Sequence, residues 1–296
     1  MSVRLTARRG AVAAVALLAA AIGVVAWLKL GHDAGPAPTA DPEDGGVVGG
    51  RYVSRYFDLA YPLPPGFVEG LAGPAPSETG SYVLANFVPA GELDATILVA
   101  ALDRFFAPAW FDGAEAMAAD FARALAAVEG MTVDHAPAAM MTGGRRFVRV
   151  DFSGVGLHRA MLATDIRCHV VSFTVTARTP ERRADLLNSF GHLSSTGVTG
   201  PAGPACLKDH AGNDNLLHRV APAVVGPHFV PIPVRMIVAV DGSVRHAHVI
   251  RGTAEQRRSV AEAVRQWRFK PHLIDGRAVE VETGVVFRFG PSAPGS

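Results

Sequence analysis

Net charge is almost absent from this 296-residue chain: 28 Lys and Arg stand against 27 Asp and Glu, a formal +1. The cations are scattered rather than gathered into a stripe, so the electrostatic footprint of a nucleic-acid binder is missing and that function class is set aside. Charged residues of either sign make up only 19%, against 49% hydrophobic, enough apolar material for about two ordinary domains. Catalytic signatures are also missing. The chain has no GxSxG elbow, P-loop, GxGxxG fingerprint or HExxH helix, and it is read as a non-enzyme with no cofactor. His246 and His248 stand two apart on a strand with no third ligand placed by spacing, so they read as solvated strand histidines rather than metal ligands. Asp151, Asp165 and Asp185 are carboxylates that nothing in the sequence brings together, and solvated faces are their default. There are two cysteines: Cys168 lies in an apolar run and Cys206 in a Gly- and Pro-rich stretch. An oxidising compartment permits them to pair, and the count leaves both a disulfide and two separate thiols open.

Charge is most conspicuously absent from Gly10 to Leu28, a run rich in Ala, Val and Leu that follows Arg4, Arg8 and Arg9. At 1.5 Å per residue it is just long enough to cross a hydrocarbon core of about 30 Å. Positive charge before it holds that end in the cytoplasm and sends the rest of the chain outward. A cleaved signal peptide is the competing reading, but the small residues Ala19, Ala20 and Ala21 lie inside the run rather than after it. The expectation is a single-pass transmembrane helix within residues 1–30, with the bulk of the chain outside the cytoplasm. Residues 31–50 (GHDAGPAPTADPEDGGVVGG) have the composition of a linker reaching at most ~70 Å, at about 3.5 Å per residue.

From residue 51 to 195 the pattern is α+β. YFDLAYPLPPGF (56–67) reads as a strand broken by prolines, and SYVLANFV (81–88) and DATILVAAL (94–102) as strands. Residues 113–130 place Met117, Phe121, Leu125 and Val128 at helical spacing and close on Gly130. Four more strand candidates follow, the last two forming a hairpin, and then a helix opened by Thr179 and Pro180. The order implies a sheet with helices packed on it. The YFDLAYPLPPGF opening, the mid-chain helix and the RFVRVDF strand resemble, diffusely, exported PsbP-like sandwich domains. Residues 196–216 read as a second linker.

The last segment, 217–290, is a small β-β-α-β unit. Val234, Met236, Val238 and Val240 alternate as a strand with one buried face, and Asp241-Gly242 supplies a tight turn. A helix starting at Thr253 or nearby Glu255 carries Val260, Ala261, Val264 and Trp267 as an apolar stripe, stopped by Phe269 and Pro271. After the turn at Asp275-Gly276, Val279, Val281, Thr283, Val285 and Phe287 point one way, and Glu280, Glu282, Val286 and Arg288 the other. VAVDGSV (238–244), Gly252, AVRQWRFKP (263–271) and DGRAVEV (275–281) together resemble the C-terminal domain of the TonB family.

That resemblance implies a periplasmic module that binds an extended segment of an outer-membrane receptor, or another envelope protein, as an added strand. The docking strand is then 279–287, with Val279, Glu280, Val281, Glu282, Val285, Val286 and Arg288 at the contact and the two glutamates blunting indiscriminate pairing. Trp267 becomes a core aromatic that positions the helix. The family's energised members also engage a proton-driven motor complex in the membrane. Residues 10–28 hold no ionisable group, and the tyrosine-proline entry motif and the long Pro-Glu and Pro-Lys spacer are missing too. These departures leave a second reading beside transduction: an envelope structural or ligand-binding protein without energy coupling.

Overall fold

The computed structural model describes residues 40–70, 77–107, 112–196, 203–212, 214–223 and 230–289. The expected membrane helix at 10–28 lies outside the described residues, among which no helix is long and apolar enough to cross a membrane.

Three short strands, β1 (Gly46–Val48), β2 (Arg51–Ser54) and β3 (Leu59–Pro62), form an antiparallel sheet. Seven more follow: β4 (Phe67–Glu69), β5 (Ser81–Pro89), β6 (Ala95–Asp103), β7 (Met131–Thr142), β8 (Arg145–Gly154), β9 (Leu157–Ile166) and β10 (His169–Ala177). They make one antiparallel sheet in the order β4-β5-β6-β10-β9-β8-β7, with β9 and β10 the expected hairpin. Successive side chains on a strand face opposite sides, so each strand feeds two cores. On one side Ile97, Val99, Phe173 and Val175 pack against Tyr52, Leu59 and Tyr61 of the small sheet, Phe57 of the turn between β2 and β3, and Leu186 and Phe190. On the other, Val148, Val150, Phe152 and Met161 meet helix α1 (Ala114–Ala126) through Met117 and Ala118. Asp165 is exposed, as expected, and also caps α1: its carboxylate accepts the Ala114 amide at 3.1 Å, the negative charge that a helix N-terminus favours. Asp151 does depart from the expected solvated face: it is buried and held by the Arg149 guanidinium at 2.7 Å. Helix α2 (Pro180–Asn188) starts as its sequence requires, with the Thr179 hydroxyl accepting the Arg182 amide.

The C-terminal part adds β11 (Ala205–Cys206), β12 (Leu216–His218), β13 (Ile232–Val238), β14 (Val244–Val249), helix α3 (Ala254–Arg265), β15 (Arg268–Phe269), β16 (His272–Ile274), β17 (Arg277–Val279) and β18 (Val281–Phe287). Its main sheet runs β11-β18-β13-β14. A reciprocal capping box between Thr253 and Gln256 opens α3, and Val260, Val264 and Trp267 bury against Val234, Met236, Val281 and Phe287. The helix ends at Arg265, short of the expected stop at Phe269 and Pro271. Phe269 has joined β15, where its amide donates to Gly242 O at 2.8 Å. The expected final strand also breaks in two at Glu280, because β17 folds back on β16 around Asp275 and Gly276, both at positive φ.

The two DG turns are not equivalent. Gly242 has φ +82, and a Cβ there would collide with the Phe269 carbonyl, whereas Gly276 has φ +76 with open space around it. Gly276→Ala therefore carries only the left-handed penalty, about 1–2 kcal/mol. Gly242→Ala adds displacement of β15 and is expected to cost about twice as much, read as a larger drop in urea midpoint. Equal losses would remove the packing role assigned to Gly242.

The described parts of the two expected linkers carry regular structure. From Ala40 onward the chain is one compact unit, with residues 46–48 in a strand and residues 205–211 forming β11 and a short 3-10 turn. β13 departs from the one-faced pattern for the same reason. Arg235 and Ile237, on the face away from α3, are as buried as Val234 and Met236 because the middle sandwich covers them.

Candidate functional site

The strand expected to dock a partner is not a free edge. Ala205 N donates to Glu280 O at 2.7 Å and Leu207 N to Glu282 O at 3.0 Å, so β11 lies parallel along the outer side of β18. The turn after it adds Thr283, whose hydroxyl donates to Lys208 O and accepts the Ala211 amide. The seven residues expected at the contact are scattered by this arrangement. Val281 and Glu282 are buried, Val279, Glu280 and Val285 half-buried, and only Val286 and Arg288 are exposed. Glu280 is occupied by Arg245 at 3.0 Å.

Glu282 is the largest departure from the sequence reading. Instead of blunting an edge it is fully buried where β18 meets the middle sandwich, accepting the Tyr56 hydroxyl and the Arg167 Nε at 3.0 Å. Arg235 of β13 reaches the same place, with its Nε 3.0 Å from Asp103 Oδ2 and 4.0 Å from Glu282 Oε1. Two carboxylates and two guanidiniums thus balance in a dry site. Asp103 is shaped for the task, since its Oδ1 accepts the amides of Phe105 and Phe106 in the turn that follows β6. The Arg235 guanidinium lies over the Phe105 ring at 4.0 Å and that of Arg167 over Tyr56 at 4.1 Å. Burial pulls the Arg235 pKa down, but the Asp103 and Glu282 carboxylates outweigh it and hold the group firmly charged. His169, enclosed by Tyr56, Phe57 and Tyr82, is pushed the other way: burial first, then Arg235 and Arg167, depress its pKa well below the usual value and keep it neutral. Cys168 and Cys206, left open by the sequence, form a disulfide that ties β11 to the middle sandwich beside this cluster. His169 and Arg235 Nη1 are buried there without a hydrogen-bond partner, packed against aromatic rings. The burial of Asp103, His169, Arg235 and Glu282 at the seam makes the cluster a joint between two parts of the fold.

The opposite edge of the same sheet is different. Hydrogen bonding alternates along a strand, and Glu280 and Glu282 face β11, so Val281, Thr283 and Val285 bond β13. On β13 the alternation then turns Arg235 and Ile237 toward His248 and His246, consistent with Ile250 N donating to Pro233 O at 3.0 Å. Ala247 and Val249 are left with their N–H and C=O groups pointing outward, and among the described residues no strand pairs with β14 on that side. This edge backs a cleft of about 350 Å³ between α3, at Arg257 and Ala261, and the acidic turn Asp41, Glu43, Asp44. His246 and His248 hold the turn in place: Asp41 Oδ1 lies 2.8 Å from His246 Nε2 and 3.0 Å from His248 Nδ1. They are therefore shielded clasps rather than solvated histidines. Burial alone would raise the Asp41 pKa, but hydrogen bonds from both imidazoles override it and hold the carboxyl far below its ordinary range. Burial would likewise lower His248, and the bond to Asp41 outweighs that and raises it. A second hollow of about 340 Å³ lies over β7 and β8, lined by His135, Met140, Arg149 and Asp151. Among the described residues no group of three or more His, Cys, Asp or Glu is arranged to hold a metal ion.

Sequence reasoning missed Arg235, Asp103, Arg167, Tyr56 and Asp41. One signal was present: Ile237 and Ala239 make the supposedly wet face of β13 apolar, which marks a strand covered on both sides.

A family model described as the Gram-negative bacterial TonB protein C-terminal matches residues 231–291. No curated protein matches the chain. Among solved structures, the chain is similar to cyanobacterial PsbP (CyanoP) from Synechocystis sp. PCC 6803, at 15% identity over 54% of this chain and 99% of that one, TM-score 0.36. It is also similar to LpqN, involved in cell envelope biogenesis of Mycobacterium tuberculosis, at 14% identity over 52% of this chain and 86% of that one, TM-score 0.32.

Proposed function

We propose that the chain is a periplasmic binding protein, anchored in the inner membrane by residues 10–28, whose C-terminal sheet takes an extended segment of an envelope protein by strand addition along β14. One observation carries this reading: of the two edges of the sheet, that of β18 is closed by the chain's own β11, whereas that of β14 has no strand beside it among the described residues and faces a cleft. The outward groups of Ala247 and Val249 offer two donors and two acceptors. At about 1 kcal/mol net each they supply roughly 4 kcal/mol, a dissociation constant near 1 mM. Side-chain contacts to the cleft walls must therefore supply both tighter binding and selectivity. An outer-membrane receptor is the partner that the TonB-like sequence suggests. The uncharged run 10–28 favours binding without proton coupling, because a motor-linked helix needs an ionisable group within the membrane.

The test uses the direction of one amide. The Ala247 N–H points away from β13, so Ala247→Pro removes a docking donor and no internal ladder bond. A photoreactive residue at Asp44, on the cleft wall, is expected to capture an envelope protein in intact cells. In Ala247→Pro capture falls at least about tenfold, the loss of one hydrogen bond together with ring bulk in the cleft, while the urea midpoint holds. Capture that survives the proline, or that moves to a probe at Val286, would refute docking at β14.

A further inference from the structure

We infer that β11 is a built-in strand that closes the β18 edge, and that the Cys168–Cys206 disulfide is its lock, opened by a thiol reductant of the dithiol class. The inference is independent of docking at β14. β11 is only two residues long and pairs with β18 through Ala205 N to Glu280 O and Leu207 N to Glu282 O. A ladder this short does not hold a strand against chain entropy, since each ordered residue costs about 1–2 kcal/mol and each backbone bond returns about 1. Downstream, Leu207 packs on the C-terminal core and Thr283 bonds Lys208 and Ala211. At β11 itself the disulfide adds the further hold, fixing Cys206 to the turn between β9 and β10 with its Cα 5.4 Å from that of Cys168. The edge beneath is built to continue. Past Glu282 the same side of β18 presents Gly284 and Val286, so departure of β11 would leave one outward-facing edge from Glu280 to Val286. The Phe106 ring lies where a Cβ on Gly284 would stand, so that position accepts no side chain and the strand stays flat against the sandwich.

The two sulfurs differ in access. Cys168 is fully buried and Cys206 is exposed. A reductant thiolate attacks Cys206 Sγ, forming a mixed disulfide and expelling Cys168 as a thiolate that takes up a proton. The reductant's second thiol then closes its own disulfide and releases the Cys206 thiol, so that two electrons and two protons pass from dithiol to cystine. Cys206, on the strap, is free to leave with residues 203–207, while Cys168 remains in the sandwich.

Amide hydrogen exchange on the full chain tests this, oxidised against reduced with dithiothreitol, and with Cys206→Ser as a reductant-free version. The Ala205 and Leu207 amides are expected to exchange at least about 100-fold faster in both altered forms, while Thr283 and Val285, bonded to β13, keep their rates. If Leu207 stays protected after reduction, pairing alone holds the strap and the lock is refuted. If Thr283 and Val285 open in step with Leu207, the disulfide holds the whole C-terminal sheet, and the idea of a separable strap fails.

Discussion

Arg235→Met is expected to lower the stability of the chain by about 3–5 kcal/mol, one of the two largest losses any single substitution here should produce. The side chain is 1% exposed, and its removal leaves Asp103 and Glu282 buried together with Arg167 as the remaining guanidinium of the cluster. Methionine fills much of the volume and can still touch the Phe105 ring, so the loss reports charge rather than a cavity. The double variant Arg235→Met with Asp103→Asn separates the two. Asparagine keeps an oxygen for the amides of Phe105 and Phe106 but removes one negative charge, which restores the balance between Glu282 and Arg167. The double variant is expected to recover more than half of the single loss in urea unfolding followed by far-UV circular dichroism. Strict additivity of the two substitutions would mean that the cluster is not electrostatically coupled. Because the cluster spans the seam between sandwich and C-terminal sheet, its loss should also broaden or split the transition as the two parts begin to unfold separately.

How much of this was legible in the sequence follows from how far apart the partners lie along the chain. The Asp241-Gly242 and Asp275-Gly276 turns, the Thr179 cap, the helix start near Thr253 and the β9-β10 hairpin depend on neighbours within a few residues, and all were read from local chemistry. Arg235 with Asp103, Glu282 with Tyr56, Cys206 with Cys168 and Asp41 with His246 depend on two separately predicted parts folding onto one another. Nothing local marks them. A period of two says that Glu282 and Arg235 lie opposite the apolar residues of their strands; it does not say whether that face meets water or another sheet. The glutamate read as a guard on an open edge is, for that reason, the residue that anchors the closed one. The composition of residues 196–216 misled similarly, since Gly and Pro suit a linker and a strap equally well.

Trp267 is the opposite case, a residue whose place was legible and whose removal is expected to cost as much as that of Arg235. It is 1% exposed, packs with Phe269 at 6.2 Å and Phe287 at 5.7 Å between ring centroids, and donates its indole N–H to Val220 O at 2.8 Å. Trp267→Ala should lose about 3–5 kcal/mol through the cavity left beneath α3. Trp267→Phe keeps most of the ring contact and gives up the bond to Val220, on the order of 1 kcal/mol. The pair also bears on binding, because α3 carries Arg257 and Ala261 on the wall of the β14 cleft. If the tryptophan acts only by seating the helix, docking at β14 should follow stability: nearly intact in Trp267→Phe and lost in Trp267→Ala at temperatures where the C-terminal part loosens. A phenylalanine variant that remains stable and yet no longer captures a partner would instead place the indole itself in the contact, moving the binding surface away from β14 toward the end of α3, where Arg219 lies over the Trp267 ring at 5.4 Å.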